Sequence, residues 1–431
     1  MRNRFFLTGA LVCLLISNLA LANSPAASTV ESAGFPNVTA APREASSAGV
    51  AELSSSQLLE KIAEAKQLMK SQPALPNAGS SSSVTLAVLD PETSEIHFLT
   101  VAKNSFLTSG ANLLLHSQLG RTLRLRVLNP NGVNTAVAIA DPSSGERLLP
   151  LTVRYPIEKG GAITEIAYYT SGHPALRSPD VVSAGEAYVT TMLDQAASRL
   201  AENGVVVAPD IVNVARHLVI VEHTDHKRFK NNDPAVYPEV LSLYALNQGS
   251  TFRYSVSSAG AGGMIQMIPR TYEAIRQHHP NVSLESDFVT AMQDHANALK
   301  AMLLYINDTW NYLEKAPEIQ QALNSGLATK TELLAAGYNS NPYKLGSYIS
   351  KARGGWRNVI PAETQMYLAI YRSVDANVDF SIQSATLNSV EGSADSNGFA
   401  TSTARHTAEA LVSWIGKELL MKTAALSHVI P

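Results

Sequence analysis

Two hydrophobic periods divide this chain, and they limit the folds open to it more than any other feature. Over residues 84–155 apolar residues come in short strand-like runs, most plainly at Leu123, Leu125 and Val127, which alternate with Arg124 and Arg126. Alternation sends successive side chains to opposite faces of a strand, so one face is apolar and the other solvated. Runs at 84–89 and 96–101 are joined by Asp90-Pro91-Glu92-Thr93, a turn sequence. Asn129-Pro130-Asn131-Gly132 turns the chain into a return strand over 133–140. Asp141-Pro142-Ser143-Ser144-Gly145 precedes another strand near 148–155. The spacing predicts a small antiparallel β module over residues 84–170. No acid, nucleophile or ligand set is grouped in it, and its arginines read as a solvated strand face.

Farther along, the period lengthens to three or four. Residues 187–200 are amphipathic and stop at Asn203-Gly204, Pro209-Asp210 opens a helix over 211–222, and 238–246 reads as a third helix. Ser286-Asp287 caps a long helix continuing to about residue 313. Strands followed by helices make the expected fold class α+β, with a mainly helical domain over 181–380 after the β module. Upstream, Leu58, Leu59, Ile62, Ala65, Leu68 and Met69 mark one short helix, ended by Pro73 and Pro76, inside an otherwise Ala/Ser/Pro-rich tether over 23–83. Residues 381–431 read as a linker and a last amphipathic helix near 404–421.

The first 22 residues have the pattern of a secretory signal. Arg2 and Arg4 precede an apolar run over 5–15, and Ala20-Leu21-Ala22 offers small residues where a signal peptidase reads. The expectation is an exported, periplasmic protein beginning at Asn23, with an uncleaved anchor as the alternative. Cys13 is the one cysteine and lies inside that run, so cleavage leaves no thiol for disulfides, cysteine metal sites or cysteine nucleophiles. Losing Arg2 and Arg4 leaves 31 basic against 36 acidic side chains, −5 in place of −3. Nucleic acid is therefore not an expected partner, and no later segment is apolar enough to span a membrane.

The most informative stretch is Ser257-Ser258-Ala259-Gly260-Ala261-Gly262-Gly263-Met264-Ile265-Gln266-Met267-Ile268-Pro269. Glycines let a backbone approach a ligand closely, and Gln266 could present an amide to a sugar; a Gly-rich turn before a buried helix explains the same residues. The run resembles the Ser-Ser-x-Gly-Ala-x-Gly-Leu-Met-Gln-x-x-Pro signature of the soluble lytic transglycosylase family, which is related to goose-type lysozyme. Thr271-Tyr272 continues the match. Ala336-Gly337-Tyr338-Asn339-Ser340 resembles that family's Ala-Tyr-Asn-Ala-Gly motif, with Gly337 in place of an alanine. Trp356, Pro361, Glu363-Thr364 and Tyr367 resemble its Trp…Pro-x-Glu-Thr-x-x-Tyr segment. The likeness covers roughly residues 210–372.

The resemblance implies a lysozyme-like domain that cleaves the bond between N-acetylmuramic acid and N-acetylglucosamine in peptidoglycan, without cofactor or metal, leaving 1,6-anhydro products. One glutamate acts as acid and then as base. Here the chain departs from the pattern, because the usual spacing upstream of Ser257 lands near Gln248, which has no proton to give. Glu222 is the next candidate, preceded by Leu218, Val219, Ile220 and Val221. Apolar neighbours raise a carboxyl pKa and keep it protonated, and an insertion over 227–250 would then separate the acid from the Gly-rich run. The resemblance further implies that Ser257, Gly263, Met264 and Gln266 line the glycan groove, that Tyr338 orients the glutamate, and that Asn339 holds its turn. Glu363 reads as a structural contact.

His217, His223 and His226, with Asp225, crowd Glu222 in sequence. They read as solvated or helix-capping rather than as zinc ligands, since no zinc-protease spacing is present. Trp310 and Trp356 could stack sugars, with buried core the plainer reading of Trp310. Three functions stay open: a lytic transglycosylase, an inactive relative that binds peptidoglycan as a scaffold, and a metal-dependent hydrolase. The β module is a candidate surface for a cell-envelope protein partner.

Overall fold

A computed structural model describes residues 53–71 and 83–380 of the chain. The signal-like segment, most of the tether, Pro73, Pro76 and the helix expected near 404–421 lie outside the described residues. The fold is mixed α+β with an antiparallel sheet. Helix α1 (Ser55–Ser71) comes first, then β1 (Ser83–Leu89), β2 (Ile96–Ala102), a short α2 (Lys103–Phe106), β3 (Asn112–His116), β4 (Thr122–Asn129), β5 (Ala136–Ala140), β6 (Arg147–Lys159) and β7 (Ala162–Tyr169). The strands order β2-β1-β6-β5-β4-β3, with β7 also on β6.

The expected strands are present, and β3 and β7 are additional to them. The alternation over 123–127 buries Leu123, Leu125 and Val127 and exposes Arg124 and Arg126. β1 and β6 shift register at Ala87/Val88, beside Pro150, where a missing N–H interrupts the ladder. The two Asp-Pro turns meet at Arg121, which bonds Asp90, Asp141 (3.0 Å) and Glu146 (2.7 Å). Each aspartate also accepts backbone N–H groups of its own turn.

The helical part comprises α3 (Pro179–Glu202), α4 (Pro209–Val221), α5 (His226–Lys230), α6 (Val236–Asn247), α7 (Pro269–His278), α8 (Phe288–Gln293), α9 (His295–Leu313), α10 (Pro317–Asn324), α11 (Lys330–Asn339), α12 (Leu345–Ala352) and α13 (Ala362–Asn377). The long helix expected to start at Ser286-Asp287 is two helices, because Asp294 takes an extended conformation and caps α9 with its side chain. Among the described residues no helix is long and apolar enough to cross a membrane.

Helix α6 holds the molecule together. Its residues 240–247 are all buried, as expected of a helix without a polar stripe. Tyr237, Val240, Leu241 and Tyr244 belong to the helical core, Leu243 to the sheet core, and Ala245 and Leu246 to a third cluster shared with α1, β1, β2 and α3. Gly185 lets α3 approach: a Cβ there would stand 2.0 Å from the Leu241 carbonyl oxygen. At the end of α6, Asn247 bonds both backbone groups of Thr170 in the sheet's last connection, at 2.9 and 2.7 Å. The β module is thus packed against the helices, and α1 is docked rather than loose: Leu58, Ile62, Ala65 and Met69 are buried.

Candidate active site

Pro209 starts α4 without needing a backbone N–H partner, and an apolar run carries the helix through the core to Glu222, its first residue beyond the last turn. Glu222 stands in the wall of a cleft of about 500 Å³ between the sheet and the helices. Asn129, Asn131, Asn134 and Tyr155 line it from the sheet side. Arg228, Glu239, Phe252 and Tyr254 line it from the other.

The residue is only partly open to solvent. Burial of the carboxyl is the largest influence on it and pushes its pKa up to about 8, from 4.5. A hydrogen bond donated by Tyr367 to Oε1 at 2.6 Å opposes that rise, and the charge of Glu363 adds to it. The carbonyl-rich end of α4 also disfavours a negative charge there. At neutral pH the group is therefore mainly the acid, and it has a partner that fixes its direction.

The tyrosine on Glu222 is Tyr367 of α13 and not Tyr338. Tyr338 donates instead to the Ile265 carbonyl at 2.7 Å, so its hydroxyl holds the Gly-rich run. Asn339 ties α11 to α13 by accepting from the Thr364 hydroxyl at 2.9 Å. Gly337, where the resembled motif has alanine, packs so that a Cβ would lie 3.1 Å from a methyl of Thr309. Tyr338 does lie within electrostatic reach of Glu222, but its hydroxyl is aimed at Ile265 by packing that spacing does not reveal.

The Gly-rich run folds as a tight turn. The Ser257 hydroxyl accepts from Ala261 N at 3.0 Å, and Gly260 and Gly263 are left-handed. Only glycine suits position 263, where φ is +67° and a Cβ would be 2.2 Å from the Met292 carbonyl oxygen. Met264 is fully buried, which overturns its expected place in a groove: its side chain is core. Gln266, itself left-handed, spends its amide N–H groups on the Gly263 carbonyl (2.8 Å) and the Ser255 hydroxyl (3.2 Å). Neither Ser257, Gly263 nor Gln266 lines the cleft. What the run delivers to the site is backbone, with the Met264 carbonyl facing His223 and the Ile265 carbonyl facing Tyr338.

The histidines do not converge. His223 and His217 are enclosed rather than solvated. His223 lies flat on Phe252, with ring centroids 3.4 Å apart, and burial lowers its pKa to about 3. A carbonyl can only accept, so the neutral ring carries its hydrogen on Nε2, donated to Met264 O at 3.1 Å. His217 points into the core, bonding Asn213 O at 2.7 Å beside Tyr371 and Phe380. His226 is exposed on α5. Asp225 caps α5 by accepting from Lys227 N and Arg228 N. Trp356 is fully buried and donates to Leu327 O, so it cannot stack a sugar. Trp310 is the half-buried one, with Lys330 over its ring at 4.3 Å.

Phe252 and the asparagine wall were not singled out in the sequence. Phe252 is a left-handed residue whose N–H reaches the Tyr169 hydroxyl of β7, a strained conformation for a bulky side chain. The Asn129-Pro130-Asn131-Gly132 turn read only as a hairpin connection, yet three asparagines within six residues were the available signal. No family model, curated protein or solved structure matches the chain.

Proposed function

We propose that the chain is an exported peptidoglycan lytic transglycosylase whose helical part is lysozyme-like and whose single acid/base is Glu222. The observation that carries this reading is the carboxyl of Glu222, kept protonated near neutral pH by burial, aimed by Tyr367 and standing in a cleft large enough for sugars. The likeness of the three sequence motifs supplies the substrate class. Glu222 gives its proton to the bridging glycosidic oxygen as the bond to the muramic C1 breaks. The resulting carboxylate takes the proton of the C6 hydroxyl while O6 bonds to C1. The proton balance closes, and no water is consumed. Asp225 and Glu239, the other carboxylates in the cleft lining, are engaged as acceptors, Glu239 by Arg177 (2.5 Å) and Arg228 (2.8 Å).

A second reading, glycan binding without cleavage, draws on the burial of Met264 and the self-satisfied amide of Gln266. Incubation with purified sacculi and mass analysis of the soluble products decides between them. Anhydro muropeptides support the enzyme, while intact sacculi that retain the protein support the binder. Hydrolytic products with a reducing end would replace both with a hydrolase.

A further inference from the structure

At the far end of α7, away from the residues that line the cleft, three side chains converge. His278 is the last residue of α7, His279 follows it as the cap, and Asp308 comes from α9. His279 Nε2 is 2.8 Å from Asp308 Oδ2, and His278 Nε2 is 4.0 Å from the same oxygen. One ligand atom from each lies within 4.8 Å of the others. The two rings stand 4.8 Å apart at 68°, neither stacked nor coplanar.

We propose that His278, His279 and Asp308 bind a divalent transition metal of the zinc class. Two imidazoles and one carboxylate suit zinc, nickel or copper, whereas magnesium and calcium want oxygen alone. Metal–nitrogen bonds of about 2.0–2.1 Å put tetrahedral ligand atoms roughly 3.3 Å apart, between the two distances to Asp308 Oδ2. The metal would stand between His279 Nε2 and Asp308 Oδ2 in place of their present direct contact. The carbonyl-rich C-terminal end of α7 favours a cation in the same spot. With three protein ligands the remaining position is open to water or a small ligand.

The placement also gives the ion something to do. Only Tyr272 and Ile275 of α7 are buried, so the helix is lightly held. Its first residue, Pro269, follows directly on the Gly-rich turn. A cation joining its far end to α9 fixes the helix that leads out of that turn.

Isothermal titration of the full chain with zinc chloride, and thermal unfolding with and without it, test this. The unaltered protein is expected to bind one equivalent of zinc, with unfolding shifted upward, and to ignore excess magnesium. His278→Ala changes an exposed side chain, so its folding is not at issue; Asp308→Asn removes the carboxylate charge. Each removes a proposed ligand and is expected to weaken zinc binding by at least the roughly 10- to 100-fold that loss of an outer-shell partner typically costs. Absence of saturable binding, or an affinity in both variants unchanged from that of the unaltered protein, would overturn the site and leave His279–Asp308 as an ordinary ion pair.

Discussion

At the scale of the residue, one carboxyl separates a proton donor from a spectator. The folded chain holds Glu222 near a pKa of about 8, while the unfolded chain releases that proton near 4.5. Between those values the native state binds more protons than the unfolded one. Stability from this group is full below pH 4.5 and falls as pH rises towards 8, by up to about 1.4 kcal/mol per pH unit. Glu222→Gln cannot ionise, so its melting temperature should gain on the parent's from pH 5 to pH 8. A constant difference would place the carboxyl in solvent. The two tyrosines should also part company. Tyr367→Phe removes the hydroxyl on the acid and should cut the glycan-cleavage rate by roughly tenfold, about 1.4 kcal/mol of positioning. Because that bond lowers the carboxyl's pKa, the alkaline limb of the rate profile should move upward as well. Tyr338→Phe instead orphans the buried Ile265 carbonyl and should lower stability by about 1–3 kcal/mol, read by denaturant unfolding. Loss of rate at unchanged stability in Tyr338→Phe would return that residue to the site.

Among the elements, α6 has the most to lose. Gly185→Ala would drive a methyl into the Leu241 carbonyl, pushing α3 off the helix that all three cores share. A loss of 3 kcal/mol or more is expected, in the range of severe overpacking, measured by urea unfolding. A cost under about 1 kcal/mol would mean that the helices separate freely. Most elements were legible in the sequence because each wears its period openly, as Leu123/Leu125/Val127 and the apolar run before Glu222 do. The break at Asp294 was not, since one residue in an extended conformation leaves the surrounding helical pattern intact. α6 was read as a helix, but its burial on every side could not be inferred from 238–246 alone. Of the candidate site, Glu222 was reached by noticing an apolar helix that ends in an acid. Tyr367 was present in a matched segment without its role, and of the groove positions taken from the motif Met264 is buried while Gln266 bonds its own turn.

On the scale of the whole molecule, the sheet is part of the site. If the helical domain read over residues 181–380 stood alone, a fragment starting near Val181 would fold and keep some cleavage. The structure argues otherwise, because such a fragment loses the Ser178 cap of α3, uncovers Leu243, Ala245 and Leu246, and removes the asparagine wall. It should show no cooperative thermal transition by circular dichroism, whereas residues 53–380 should unfold cooperatively. A well-folded fragment with undiminished cleavage would make the sheet dispensable. The central claim is that a protonated Glu222 does the chemistry, and the most direct test is the yield of 1,6-anhydro muropeptides from purified sacculi at neutral pH, unaltered protein beside Glu222→Gln. The account predicts release by the first and a drop of about 10² to 10⁴ in the second, the usual worth of a positioned acid, with the fold retained. Equal release by both proteins would contradict it.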